Sequence, residues 1–406
     1  MVPNKDNNIA SNGILRNNLS MYDLDSLRHN EFPFSAELTY LNHAGISPLP
    51  QRTKRRVQWA IEMLSNNPND FFGNHALPAF VSIQEMLSRY INAQSAADIV
   101  FSTSTSAALN AVAQAIDWRE GDNIVFCDQE FPANAYPWMS LARDGVEARS
   151  IPTDNGGLTL RQVEAFADER TRAVAASAIQ FFSGQRTDLA AIGRFCRERD
   201  ILFIVDAIQA IGHMKFDVQA MNIDVLATGG MKSLLALPGI GFIYVRQSVA
   251  EAMRPRLIHG NATADYLHWL AYDMTLLPGA ARLASGTPNV PGVFALGSSL
   301  ELINELGPEN IDAHTTGLSR YTIDSLTRDG YQVITPVDAL GPIVTFHSPF
   351  DNATTDRLIQ HLAADHIVVV KHLDAAAAPY IRVSFHGYNT TAEVDRFMEG
   401  LHSFVN

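Results

Sequence analysis

The sequence predicts an α/β protein: a large domain on a mostly parallel, doubly wound sheet flanked by helices, then a smaller α+β domain at the C-terminus. Three observations carry this. Between about residues 80 and 285, short apolar runs alternate with helical patterns. The runs are continuous rather than alternating, as strands covered on both faces should be. Beyond a Gly- and Pro-rich stretch at 278–297 the order becomes helix, short strands, helix.

Taken in order, "NIVFCD" (123–128), "AVAASAIQ" (173–180), "ILFIVDAI" (201–208), "DVLATG" (224–229) and "GFIYVR" (241–246) read as buried strands. "TDLAAIGRFCRERD" (187–200) reads as a helix with charge on one face. Such β-α alternation favours a parallel sheet. The small domain is assembled from "VFALGSSLELINEL", "GPIVTFHS", "TTDRLIQHLAADH", "IVVVK", "YIRVSFHG" and "TAEVDRFMEGLHSFV". The boundaries are drawn at 36–287 and 288–406, with residues 1–35 a candidate to pack on the latter.

Composition narrows the function. At 406 residues and 47% apolar content, core size is not limiting. Acidic residues number 43 against 30 basic ones, which argues against nucleic acid or an anionic membrane as partner. The two cysteines, Cys127 and Cys196, are far apart and form no CxxC, so two buried free thiols are expected. The first residues are polar and lack the apolar core of a signal peptide. No run approaches the ~18 apolar residues of a membrane span. A cytoplasmic, soluble protein is the expectation.

One lysine stands out. Lys232 sits in "TGGMKSLLALPGIG" (228–241), between a glycine pair and a second glycine turn. A phosphate-binding P-loop needs Gly directly before Lys, and Met231 is there instead. "GIGFIYV" has Tyr244 where a dinucleotide fingerprint needs its third glycine, and it enters a strand rather than a helix. No His/Cys cluster has metal spacing, so no metal is expected.

What remains converges on one ligand chemistry. Asp206 ends an apolar strand, where burial without a cationic partner is costly. Its alternative role is a cap or a surface carboxylate. Five hydroxyl residues, 102–106, precede an Ala-rich helix, a natural phosphate cup, although one of them would suffice as a plain cap. Phe131, in the loop after "NIVFC", either packs on the core or covers a planar ring. A phosphate-bearing, planar, nitrogen-containing aromatic that bonds a lysine meets all four features. Pyridoxal 5'-phosphate is such a molecule.

At this point the residues resemble class V aminotransferases of the fold-type I pyridoxal-phosphate enzymes, a group that includes cysteine desulfurases, kynureninases and isopenicillin N epimerase-like proteins. "YLNHAGISPLP" (40–50), "DAIQAIG" (206–212), "ASGTPNVPG" (284–292) and "IRVSFHGYNTTAEVDRF" (381–397) carry the resemblance in order, and Lys232 follows Asp206 by 26 positions. The resemblance implies that 36–287 is the cofactor domain and that Lys232 forms the Schiff base with the cofactor. It implies that Asp206 binds the pyridine nitrogen and Gln209 the ring hydroxyl oxygen. Ser104, Thr105 and Ser106 match the phosphate cup, Phe131 the stacking position, with Asn134 close by. Thr287 would reach a phosphate across a homodimer interface. Arg382 would bind the substrate α-carboxylate, with Asn42, His43 and Ala44 on the substrate side.

Departures from the pattern matter too. Many relatives have His and Ser where this chain has Met231 and Gly229, so phosphate binding leans on other groups, Thr228 among them. Cysteine desulfurases carry a reactive cysteine on a loop before the carboxylate-binding arginine. Here that stretch, "KHLDAAAAPY" (371–380), has none, which disfavours persulfide chemistry of that kind. The expected activity is therefore that of a pyridoxal-phosphate enzyme on an α-amino acid, as aminotransferase or carbon–sulfur lyase. Epimerisation, a catalytically silent version of the fold, and a nucleotide-binding α/β enzyme are the alternatives.

Overall fold

The computed structural model describes residues 22–153, 156–265 and 268–405. Seven strands form the main sheet: β1 (Ile99–Ser102), β2 (Asn123–Cys127), β3 (Glu147–Ile151), β4 (Thr171–Ser177), β5 (Leu202–Asp206), β6 (Val225–Gly229) and β7 (Gly241–Val245). Their spatial order is β1-β7-β6-β5-β4-β2-β3. Strands β2 to β6 run parallel. β7 runs antiparallel to β6, and β1 antiparallel to β7. The reason lies in the connection: residues 230–240 are too few for the crossover that a parallel neighbour needs. Gly241 makes the return possible, because a side chain there would collide with the Thr228 carbonyl.

The continuous apolar runs do what their composition requires. Val174, Ala176 and Val205 enter one apolar cluster, while Ala173, Ala175, Ile204 and Ala227 enter another on the opposite face. A sheet buried on both faces leaves its strand ends as the place for chemistry. In register, Ser177 lies opposite Asp206 and Asp206 opposite Ala227, so β4 and β5 end together and β6 runs two residues beyond them.

Helices α1 (Leu24–Glu31), α2 (Gln51–Asn66), α3 (Thr105–Ala115), α4 (Leu189–Glu198), α5 (Val290–Leu306), α6 (Pro308–Arg328), α7 (Asn352–Ala364) and α8 (Thr391–Val405) account for most of the helical packing. Ser104 caps α3 by accepting from the Ala107 amide at 3.1 Å, and Asp188 caps α4 by accepting from the Ala191 amide at 3.0 Å. Helix α5 opens the segment after residue 288. It packs on α2, and Val293, Ala295, Leu296, Leu300 and Ile303 enter the same apolar cluster as Val174 and Val205. Its sequence is apolar on nearly every side, which marks burial but not the partner.

The smaller unit holds an antiparallel sheet of β8 (Ile343–His347), β9 (Val370–Leu373) and β10 (Pro379–Ser384), ordered β9-β10-β8. Helices α6, α7 and α8 supply Leu318, Leu358 and Phe397 to its core, against Phe346, Ile381 and Val383 from the strands. The described part of the N-terminal segment packs here. The Tyr22 hydroxyl donates to the Gly387 carbonyl at 2.7 Å, and Phe32 stacks on Tyr388 at 4.2 Å between ring centroids. Residues 1–21 lie outside the described residues. Among those described, no helix is long and apolar enough to cross a membrane.

Candidate active site

A cleft of about 290 Å³ is lined from three directions. Asp206 stands at the end of β5, Met231 and Lys232 just beyond β6, and Ser104, Thr105 and Ser106 at the start of α3. Asn42, Ala44 and Gly45 come from the N-terminal loop, and Val370, His372 and Arg382 from the small sheet.

The turn that carries Lys232 is fixed by bonds inside and outside it. Within it, the Gly230 amide donates to the Ile240 carbonyl at 2.7 Å and the Ala236 amide to the Gly230 carbonyl at 2.8 Å. Leu235 sits at φ 54°, a left-handed conformation that a branched side chain tolerates only when its surroundings enforce it. Four other segments hold the turn. The Ser47 amide donates to the Met231 carbonyl at 2.8 Å. The Ser233 hydroxyl donates to the Ile208 carbonyl at 2.8 Å, and the Ser299 hydroxyl of α5 to the Leu235 carbonyl at 2.7 Å. His386 Nδ1 accepts from the Gly387 amide, so Nε2 carries the proton and donates to the Ser233 carbonyl at 3.0 Å. Gly212 lets the loop after β5 close under this turn, since any side chain there would strike the Ser233 carbonyl.

Burial sets the electrostatics. It pulls the Lys232 ammonium down to about 8, with Asp206 opposing the shift and Arg382 adding to it. It pushes the Asp206 carboxyl up to about 6, opposed by the Ile208 amide, which donates to Oδ1 at 3.0 Å, and by Lys232. The Lys232 amine stands 5.3 Å from the centre of the Phe131 ring. Arg382 is drawn down to about 10 by burial, and its Nη1 donates to the Phe181 carbonyl at 2.7 Å.

Other expected residues fall around this centre. Thr105 Oγ1 is buried with no hydrogen-bond partner among the described residues. Ser106 is exposed, and Ser104 already serves as a cap. Asn42 and Ala44 line the cleft, whereas His43 turns inward to share a hydrogen bond of 2.9 Å between its Nδ1 and Ser47. Gln209 is buried and donates to the Ala44 carbonyl at 3.0 Å. Asn134 and Thr228 are fully buried behind the cleft: Asn134 accepts from the Trp138 indole at 3.1 Å, and the Thr228 hydroxyl donates to the Gly229 carbonyl at 3.2 Å. Thr287 is exposed and does not line the cleft of its own chain.

Sequence reasoning missed two titratable groups. Glu130, directly before Phe131, is buried and accepts from the Ser177 amide at 2.8 Å and from the Ser177 hydroxyl. Burial, helped by the Asp206 charge, pushes it up to about 7. A carboxylate three residues past a buried strand was the available signal. His372 was missed as well; the alternation of "VVVKHL" places it on the face of Val370, which pairs with Arg382.

The donor set fits pyridoxal phosphate. A buried carboxylate ends a strand at the cleft, a lysine of lowered basicity lies over an aromatic ring, and an orphaned hydroxyl sits at a helix N-terminus. A model of the family described as aminotransferase class-V matches residues 39–397. The chain belongs to that family. It is a pyridoxal-phosphate-dependent enzyme. A cysteine desulfurase of Dickeya dadantii is 32% identical over 80% of this chain and 81% of its own. The apo structure of a cysteine desulfurase from Thermococcus onnurineus NA1 superimposes with a TM-score of 0.84 at 24% identity, covering 95% of this chain and 99% of that one. A cystine C–S lyase, solved with its product cysteine persulfide, gives a TM-score of 0.83 at 20% identity, over 91% and 99%.

Proposed function

We propose that the protein is a pyridoxal-phosphate carbon–sulfur lyase that cleaves a sulfur-bearing α-amino acid directly, without a protein persulfide. One observation carries the reading: the cleft gathers Lys232, Asp206, Thr105 and Arg382, yet neither cysteine lines it. The stretch that bears the reactive cysteine in the desulfurases is here the short turn joining β9 to β10, with Leu373 paired to Pro379. Cys127 and Cys196 are fully buried. Burial, and after it the Asp224 charge, pushes the Cys196 thiol up to about 12, and burial and Glu130 push Cys127 higher still. Thiols so raised are inert as nucleophiles.

When bound, the cofactor supplies an electron sink for the pair released at the substrate's Cα. Each protein residue then has a defined task. Lys232 would attach the cofactor, and its amine, when free, would move the proton at the substrate's Cα. Asp206 holds the proton on the ring nitrogen; burial makes this carboxylate a stronger partner than an exposed one. Thr105 and the N-terminus of α3 hold the phosphate. Arg382 offers its planar fork to the α-carboxylate. Breaking the Cβ–S bond of cysteine then yields hydrogen sulfide, and hydrolysis yields pyruvate and ammonia.

The reading includes a homodimer in which Thr287 serves the neighbouring site. In its support, Thr287 is exposed, and the preceding segment exposes Leu257, Leu270, Tyr272 and Met274. The test is product analysis of the cofactor-loaded enzyme with L-cysteine and L-cystine. Pyruvate and ammonia in equal amounts are expected. Alanine as the main product would point to desulfurase chemistry. A D-amino acid would make it an epimerase, and an aminated cofactor with a keto acid a transaminase.

A further inference from the structure

The hairpin of β9 and β10 brings into the cleft one polar side chain that the chemistry above leaves unused. His372 lines the same cleft as Lys232 and Arg382. Its register sets it opposite Tyr380, two positions from the Val370–Arg382 pair. Lys371 between them points the other way and pairs with Asp356. The imidazole stands edge-on to Phe181 and Phe182, with ring centroids 6.0 and 6.3 Å apart. Its Nε2 is buried and has no hydrogen-bond partner among the described residues. A buried polar atom without a partner is costly, and in a ligand cleft the ligand is the natural partner.

The surroundings fix the form of the ring. Burial first, then the charges of Arg382 on β10 and Lys232 across the cleft, hold its pKa down to about 4. Tyr380 and the two phenylalanines add no charge at neutral pH. The imidazole is therefore neutral and offers a single N–H or a single lone pair at Nε2. Two positions along a strand is about 7 Å. That is the span from a carboxylate held at Arg382 to a hydrogen-bond partner of the β-substituent.

We propose that His372 recognises the substrate's side chain: Nε2 hydrogen-bonds the sulfur of a thiol or disulfide amino acid and so selects a polar β-substituent over a hydrocarbon one of the same size. The assignment of sulfur rests on the lyase reading above, whereas the hydrogen bond is testable with unreactive ligands.

The experiment uses the cofactor-loaded enzyme, the His372→Leu and His372→Gln variants, and two probes, L-serine and L-2-aminobutyrate. Dissociation constants come from the change each probe causes in the cofactor's absorption band. A single hydrogen bond to a neutral group predicts that the wild type favours L-serine by about three- to ten-fold. His372→Leu brings the ratio to about one, and His372→Gln restores part of it. Using the ratio within each variant removes any effect of partial unfolding. In the cofactor-free protein, the imidazole resonance missing from both variants should show a neutral ring throughout the range from pH 6 to 8. An unchanged ratio in His372→Leu overturns the proposal and leaves the lyase reading intact. A band that responds to no amino acid overturns both.

Discussion

The lysine turn and the β9–β10 hairpin face each other across one cleft, and they are built on opposite terms. The turn is buried, and four other segments hold it. The hairpin places β9 at the edge of a three-stranded sheet, with Leu373 about half exposed. The difference teaches where each task resides. Chemistry common to many amino acids sits where nothing can shift, and the choice among amino acids sits on an edge strand that tolerates substitution.

The sharpest break of this comparison is Lys232→Ala. Loss of both the attachment point and the proton carrier should lower turnover by about 10³-fold or more, with the cofactor band altered or gone. Next comes Asp206→Asn, expected to lower kcat by roughly 10²- to 10³-fold. The same variant should stabilise the cofactor-free protein. Burial raises the Asp206 pKa to about 6, so folding penalises the charged form: the penalty is present above that pH and disappears below the unfolded value. Melting curves should favour the variant at pH 8 by on the order of 1–3 kcal/mol and converge with wild type near pH 4. Equal melting at pH 8 would mean that the carboxylate is not strained.

On the hairpin side, Arg382→Lys should raise KM for the amino acid by about ten- to a hundred-fold while kcat changes less, because a single ammonium cannot form the two-pronged contact. Equal losses in both parameters would move Arg382 out of simple substrate binding. Cofactor uptake by the cofactor-free protein should accelerate roughly ten-fold from pH 7 to 9, since only the neutral amine reacts and Lys232 titrates at about 8. A flat profile would place the rate-limiting step elsewhere. The smallest effect is expected at Cys196→Ala, where activity per folded molecule should stay within about two-fold. A large loss there would revive a thiol mechanism.

Much of this division was legible in the sequence. A lone lysine and a lone aspartate in apolar surroundings are costly to bury, so each announces a partner, and Asp206 and Lys232 do meet at one cleft. The five buried runs appear as strands because continuous apolar stretches of that length have little alternative. Three things were hidden because they depend on what lies far away in sequence. The packing of α5 depends on α2. The burial of Glu130 depends on Ser177 of β4. The inward face of His372 depends on how β9 registers against β10. Local propensity encodes none of these.

The late place of Arg382 and His386 in the chain has a consequence during synthesis. The strand ends, Asp206 and the lysine turn leave the ribosome first, while Arg382 follows Lys232 by 150 residues. At ordinary elongation rates of about 5–20 residues per second, that gap lasts roughly eight to thirty seconds. Throughout it the nascent chain carries Lys232 and Asp206 without the arginine that lines their cleft or the histidine that donates to the Ser233 carbonyl. The cleft is thus finished only when the last strand, β10, is laid down.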